Sequence, residues 1–347
     1  MQSRNRCIAG LLRSGDVSIV DGDEHVYVVH FTEAARENSI ATSYRGDVFA
    51  CATDDRVLTS PGLIEEVDWE PGRMMVAPVF AMPPGSCLHA FAYNGRWYLS
   101  TNRTLDAFSA RWGSRTDPSF GELFMRAVSG ADENASWQSW APAALAPMGD
   151  GATFNFWLVH DEWVSPNLEV YLMPVARTTS AEYEQMRAPV GVRKFTLTPP
   201  DTARTTAPAW GYLVHDGWRW VRHTSPAYRR QMELVANEPN RRKRYLQLMG
   251  TSPVVLAEYL STRPSVADMK LEDDAAWPTV KQILEDPEFR HDATADQPRR
   301  TQDWLNRTAV DWQTRRNSPV FCAGLRAAVL EWYHREKSRL DIDRWPT

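Results

Sequence analysis

The sequence predicts an α+β fold. Antiparallel sheets with a few helices are expected over residues 1–249, and an all-helical C-terminal domain over residues 250–347. Three observations predict it. Short apolar runs alternate with turn clusters over the first part of the chain, as antiparallel strands require. Asn94-Gly95 separates the strand-like runs Leu88–Tyr93 and Trp97–Thr101, and both residues tolerate the positive φ of a type I′ hairpin turn. From Pro226 onward apolar residues recur at helical spacing, with prolines between the runs.

In order, strands are expected at Val17–Val20, His25–Phe31, Asp47–Thr53 and Met75–Phe80. Met82-Pro83-Pro84-Gly85-Ser86 then makes a loop that a ligand can approach closely. Residues 104–130 read as helical, with Leu105, Phe108, Trp112, Phe120, Leu123 and Phe124 as core positions. Asp117-Pro118 interrupts that pattern, and Ser119 with Glu122 supplies a capping box for its second piece. Residues 131–150, rich in Ala, Pro and Gly, read as a surface loop. Leu158-Val159-His160-Asp161-Glu162-Trp163 is echoed by Leu213-Val214-His215-Asp216-Gly217-Trp218. Two His-Asp pairs are chemically sound metal ligands, but two hairpins of similar turn chemistry explain the echo more simply, and no metal is predicted. Helices follow at Tyr228–Leu248, Val254–Leu260, Trp277–Leu284, Gln302–Trp312 and Val320–Leu340, and Glu272-Asp273-Asp274 reads as a solvated acidic patch.

At 347 residues the chain is long enough for two domains, and 43% apolar residues with 15 tryptophans supply packed cores rather than disorder. A net charge of −5 argues against indiscriminate nucleic-acid or membrane binding, yet leaves room for a local basic groove. The first apolar run, Ile8–Leu12, is too short for a signal peptide, and no run approaches the roughly 20 apolar residues of a membrane span. Cys7, Cys51, Cys87 and Cys322 contain no Cys-x-x-Cys pair, as free thiols in a reducing compartment would. The expected location is therefore intracellular or inside a virion, with no membrane partner. Neither a P-loop, a Gly-x-Gly-x-x-Gly nor a His-Glu-x-x-His occurs.

The Gly85-Ser86 loop, the hairpin, Trp97-Tyr98-Leu99-Ser100-Thr101-Asn102-Arg103 and Ser119-Phe120-Gly121-Glu122-Leu123-Phe124 occur in that order. This series resembles the adenylation core of phage-type and large-DNA-virus RNA ligases, which belong to the covalent nucleotidyltransferase superfamily. The resemblance covers residues 40–250 and implies an ATP-grasp-like ligase core. It also implies a lysine that attacks the nucleotide α-phosphate, carboxylates for metal and ribose, and paired lysines for the triphosphate. Aligned on Gly85, the Lys-x-(Asp/Glu)-Gly motif puts Met82 at the lysine and Pro84 at the acid, and no lysine precedes Lys194. An arginine cannot substitute, because its guanidinium stays protonated. In the two strand motifs that carry acids in the family, Trp157 and Trp210 stand at the acid positions. In the last motif Arg222 keeps one cation, while Thr224 takes the place of the second. Tyr44-Arg45-Gly46 resembles the strand that precedes the family's lysine, making Arg45 a candidate nucleotide contact unless it is merely a strand entry.

The resemblance therefore implies a catalytically degenerate RNA-ligase-like protein that needs no cofactor and binds nucleic acid or a protein partner. In a large DNA virus, that partner would belong to the virion or the transcription machinery. RNA or DNA ends are expected at residues 219–244, through Arg222, Arg229, Arg230, Arg241, Arg242, Lys243 and Arg244, with Arg45 and Arg103 as further contacts. A solvated basic face, or cations answering a helix C-terminus, is the plainer reading of that segment. Trp97, Tyr98 and Trp112 read as base-stacking platforms or as core. Two alternatives stand beside this reading. One is an active ligase using ATP and magnesium at a rearranged site, with Lys194 recruited as nucleophile. The other is a structural capsid or assembly protein.

Overall fold

The computed structural model describes residues 2–51, 57–59, 64–70, 79–112, 117–130, 135–148, 153–160, 167–174, 178–215, 220–236, 238, 241–249, 253–295, 297–315 and 317–336. The architecture is mixed α+β, with largely antiparallel sheets followed by a helical C-terminal region. Two compact units divide the chain, Met1–Arg230 and Gln231–Thr347.

The first unit opens with a helix, α1 (Gln2–Ser14), in a region expected to be β throughout. Ile8 and Leu11 lie three residues apart on one helix face and cover Val17, Val29 and Phe49. These last three belong to the first sheet, β1 (Val17–Gly22), β2 (Val26–Phe31), β3 (Arg45–Ala50) and β4 (Val57–Thr59), with the short α2 (Ser39–Thr42) before β3. β5 (Glu65–Asp68) and β6 (Val79–Ala81) belong to another sheet. Of the expected strand Met75–Phe80, only Val79 and Phe80 lie within the described residues. The expected hairpin pairs β7 (Ser86–Tyr93) with β8 (Arg96–Thr101), turning on Asn94 (φ 49°) and Gly95 (φ 74°).

Residues 104–112 are irregular instead of helical. The Thr101 hydroxyl accepts the Thr104 amide at 3.0 Å and Asp106 accepts the Phe108 amide at 2.9 Å, so side chains capture donors that a helix would need. Trp112, expected in the core, is 47% exposed. The capping box forms as expected: Ser119 Oγ accepts the Glu122 amide and Glu122 accepts the Ser119 amide, starting α3 (Phe120–Ser129). The expected surface loop 131–150 contains a helix, α4 (Trp137–Leu145), because Trp137, Ala141 and Leu145 fall four residues apart and bury one face. β9 (Phe154–Val159) and β10 (Glu169–Met173) complete the second sheet, in the order β10-β9-β7-β8. After α5 (Ser180–Gln185), β11 (Thr196–Thr198), α6 (Pro200–Thr205), β12 (Gly211–His215) and β13 (Trp220–Thr224), the third sheet reads β11-β6-β12-β13-β5. β13 pairs β5 in parallel, and the other pairs are antiparallel.

α7 (Pro226–Val235) spans the division between the units. The second unit continues with α8 (Arg241–Met249), α9 (Pro253–Ser261), α10 (Pro264–Glu285), α11 (Pro287–Thr294), α12 (Arg299–Arg315) and α13 (Pro319–Glu336). α10 and α11 each begin on a proline, where the missing N–H leaves no helix bond unmade. Leu234, Tyr245, Leu246, Val280, Leu305 and Leu330 are among its buried core. The expected solvated patch is partly wrong, because Asp273 is fully buried. Tyr245 donates its hydroxyl to Asp273, and His334 Nε2 lies 2.9 Å from the same carboxylate. Among the described residues, no helix is long and apolar enough to cross a membrane.

Candidate functional site on the second sheet

Strand alternation gives the second sheet two unlike faces. Leu88 and Ala90 of β7, with Phe154, Phe156 and Leu158 of β9, join Phe124, Trp137 and Ala141 in an apolar core. The intervening residues Cys87, His89, Asn155 and Trp157 turn the other way and form a polar and aromatic row. His89 is fully buried, with Nδ1 2.9 Å from Asn155 Oδ1 and Nε2 2.8 Å from Asn102 Oδ1. Cys87 Sγ lies 3.9 Å from Nδ1. Burial opposes charge on this imidazole, but the Cys87 sulfur and the Asn102 and Asn155 contacts outweigh it and push the pKa up to about 9. On the core-facing side, in line with Leu88, Ser86 Oγ meets His160 Nε2 at 2.9 Å, and the His160 ring lies against Phe120.

Gly46 closes the row from the first sheet. It has φ +91°, and a Cβ there would stand 2.6 Å from Asn102 Cα. Arg45 and Arg103 are the chain neighbours of these two residues. Both are exposed, and neither side chain forms a hydrogen bond or ion pair among the described residues. Their charges act on buried His30, the cross-strand partner of Arg45; burial first, then Arg103 and Arg45, lower its pKa.

The residues that the resemblance set at catalytic positions are packed. Met82 is 1% exposed among Phe80, Tyr183, Leu213 and Trp220, with Trp157 against the same cluster. Trp157 Nε1 donates to the Pro83 carbonyl at 2.8 Å. Gly85 has no room for a side chain: a Cβ would meet the Leu158 carbonyl at 2.5 Å and Trp157 Nε1 at 2.7 Å. Pro84 is half-buried in the same loop. Arg222 is 2% exposed, and its Nη1 lies 3.0 Å from Glu66. Its guanidinium stands 4.5 Å from the Tyr228 ring centroid and 5.7 Å from that of Trp157. Thr224 Oγ1 donates to the Val67 carbonyl at 3.1 Å, and the Trp210 carbonyl accepts the Ser225 amide at 3.0 Å. Lys194 donates to the Glu184 carbonyl and lies 5.3 Å from the Tyr183 ring centroid, within its own surface segment.

The basic segment is largely occupied with the fold. Arg229 pairs with Asp68, Arg241 Nη1 donates to Ser265 Oγ at 3.2 Å, and Arg244 donates to the Leu234 and Glu233 carbonyls. Arg244 thus serves the end of α7, as a cation near a helix C-terminus does. Arg230 is exposed on α7, and Arg242 and Lys243 lie on α8. Arg219, and the Asp161 and Asp216 of the two echoes, lie outside the described residues. No group of three or more His, Cys, Asp or Glu that could hold a metal ion occurs among the described residues. Tyr98 is core: Phe91 stacks on it at 5.0 Å and Arg96 stands 4.8 Å from its ring centroid. Beside it, Trp97 and Trp137 contribute to a cleft of ≈ 710 Å³ that Asp21, Asp23 and Asp106 also line.

The sequence reading named Arg45, Arg103 and Trp157 but missed Cys87, His89 and Asn102 as a group. The i, i+2 spacing of Cys87 and His89 on a predicted strand is the signal that places two of them on one face. No protein-family model matches the chain, and no curated protein matches it.

Proposed function

We propose that the chain is a catalytically degenerate RNA-ligase-like protein that binds nucleic-acid ends through Arg45 and Arg103 and forms no lysyl–nucleotide intermediate. The observation that carries this reading is Met82, sealed among Phe80, Tyr183, Leu213 and Trp220 beneath the Trp157 indole. A lysine nucleophile needs an open approach to a phosphorus atom, and this position offers none. Lys194 is an unsuitable replacement, since its amine is already bonded to the Glu184 carbonyl. Arg45 and Arg103 support the binding half of the reading. Two exposed guanidinium groups on residues next to the Gly46–Asn102 approach, neither hydrogen-bonded nor ion-paired among the described residues and both acting on His30, suit phosphate oxygens better than the arginines of residues 222–244 that make intramolecular bonds.

Two measurements test the two halves. Incubation with α-labelled ATP or GTP and magnesium or manganese, followed by denaturation, is expected to leave the protein unlabelled beside an active ligase control. A stable adduct would overturn the reading, and loss of that adduct in Lys194→Ala would establish the rearranged ligase. Separately, 5′-phosphorylated single-stranded RNA and DNA are titrated against wild type and the Arg45→Glu/Arg103→Glu variant. The variant is expected to bind about ten-fold more weakly, with a salt slope shallower by about 1.4 for two lost single-strand phosphate contacts. Equal binding by both proteins would remove these arginines from the function. A virion or transcription protein would then be the partner to seek.

A further inference from the structure

α12 carries charges in a pattern that its own fold does not use. Asp303, Arg307, Asp311 and Arg315 recur every four residues, so they form one ridge of alternating sign along the helix. All four are exposed. On a single solvated helix such spacing serves ion pairs between successive turns. Here Asp303, Arg307 and Asp311 form no ion pair among the described residues, and Arg307 Nε donates instead to the Asp303 carbonyl at 3.2 Å. Beside the ridge, Trp304, Thr308, Leu325 and Ala328 line a cleft of ≈ 550 Å³ between α12 and α13. Its wall includes Gly324, exposed inside α13, where a Cβ would meet nothing within 4 Å. Packing within the chain therefore does not require glycine there, although glycine weakens a helix interior relative to alanine. On the other flank of the ridge, Val310 is 63% exposed.

We propose that this face joins two copies of the chain, with α12 packed antiparallel on α12 of the second copy about a two-fold axis level with Ala309. Such an axis makes a surface meet itself, so the surface must be complementary to itself. Antiparallel pairing about Ala309 sets Arg307 against Asp311 of the second copy, and Asp303 against Arg315 of the second copy. The axis repeats both contacts, so every one of them joins opposite charges. A parallel arrangement in register would set each charge on its like, which the repulsion disfavours. Val310 lies one residue from the axis and meets its own counterpart, taking two exposed valines out of water. The open space at Gly324 lets the second copy approach that flank without meeting a side chain. The charged ridge sets register and direction, and the apolar residues on its flanks supply affinity.

The test is sedimentation velocity on the full chain and on two charge-reversal variants. Wild type is expected to sediment as a dimer at about 100 μM, with a dissociation constant of about 10 μM. Asp311→Arg places an arginine opposite Arg307 at both symmetry-related contacts, and is expected to raise that constant about ten-fold or more. Arg307→Asp places two aspartates face to face and is expected to act alike. Both positions are exposed, so each variant should keep the wild-type circular dichroism and Tm. Mixed together, the two variants are expected to associate with wild-type affinity, because a chain with two arginines then faces a chain with two aspartates. A wild type that stays monomeric at about 100 μM overturns the proposal and leaves this face to a different protein. A dimer that neither reversal weakens, or a mixture that fails to restore association, also overturns it.

Discussion

At the scale of single residues, Met82 and His89 show opposite uses of burial. Met82 contributes an apolar side chain to a closed cluster, so placing a lysine there buries an ammonium without a partner. Met82→Lys is expected to cost about 3 kcal/mol or more, read as a lower urea midpoint, and to leave nucleotide labelling at zero. A labelled Met82→Lys protein would show that the pocket admits a nucleotide, against the proposed reading. His89 instead gains its stability as a cation. Its folded pKa of about 9 lies above the ordinary 6.5, so the contribution is complete below about pH 6.5 and fades as pH rises through 9. The amount is at most about 3 kcal/mol. Wild-type stability should therefore fall between pH 6.5 and 9.5, and His89→Gln should flatten that part of the profile. A flat wild-type profile would mean that the ring is neutral when folded.

Among the elements, α3 depends on a local signal and α4 on a distant one. Ser119 and Glu122 exchange backbone and side-chain hydrogen bonds within four residues. Ser119→Ala is expected to cost about 1 kcal/mol, seen as a drop of a few degrees in Tm. No change in Tm would mean that packing of Phe124 and Val128 alone fixes the helix start. The α4 segment has a capping serine too, Ser136, but Pro142 sits inside the helix, and its Ala-rich composition imitates a loop. Trp137, Ala141 and Leu145 find their place only against Phe124 and Phe156 of the same core. The hairpin is again local: Asn94-Gly95 sets its turn, and the pairing of Leu88 with Thr101 follows.

For the whole molecule, the two units have separate hydrophobic cores, and α7 supplies residues to each. Its Tyr228 faces Arg222 in the first unit, and Leu234 belongs to the helical core of the second. Leu234→Ala is expected to destabilise the second unit by about 2–4 kcal/mol. Hydrogen exchange should rise through α8–α13 while the strands of the first unit keep their protection. A uniform rise in both units would show that the chain unfolds as one cooperative body.

The sequence by itself determined the hairpin, the α3 cap and the sheet-then-helix order, because each rests on neighbours within a few residues or on residue type alone. Tertiary structure decided what neither periodicity nor composition encodes. It turned residues 2–14 into a helix, because Ile8 and Leu11 cover Val17, Val29 and Phe49. It committed Arg222, Arg229 and Arg244 to internal partners, because carboxylates and carbonyls distant in sequence came within reach. It also assembled Cys87, His89, Asn102 and Asn155, which lie up to 68 residues apart, since the shared face of β7 and β9 exists only once the strands pair.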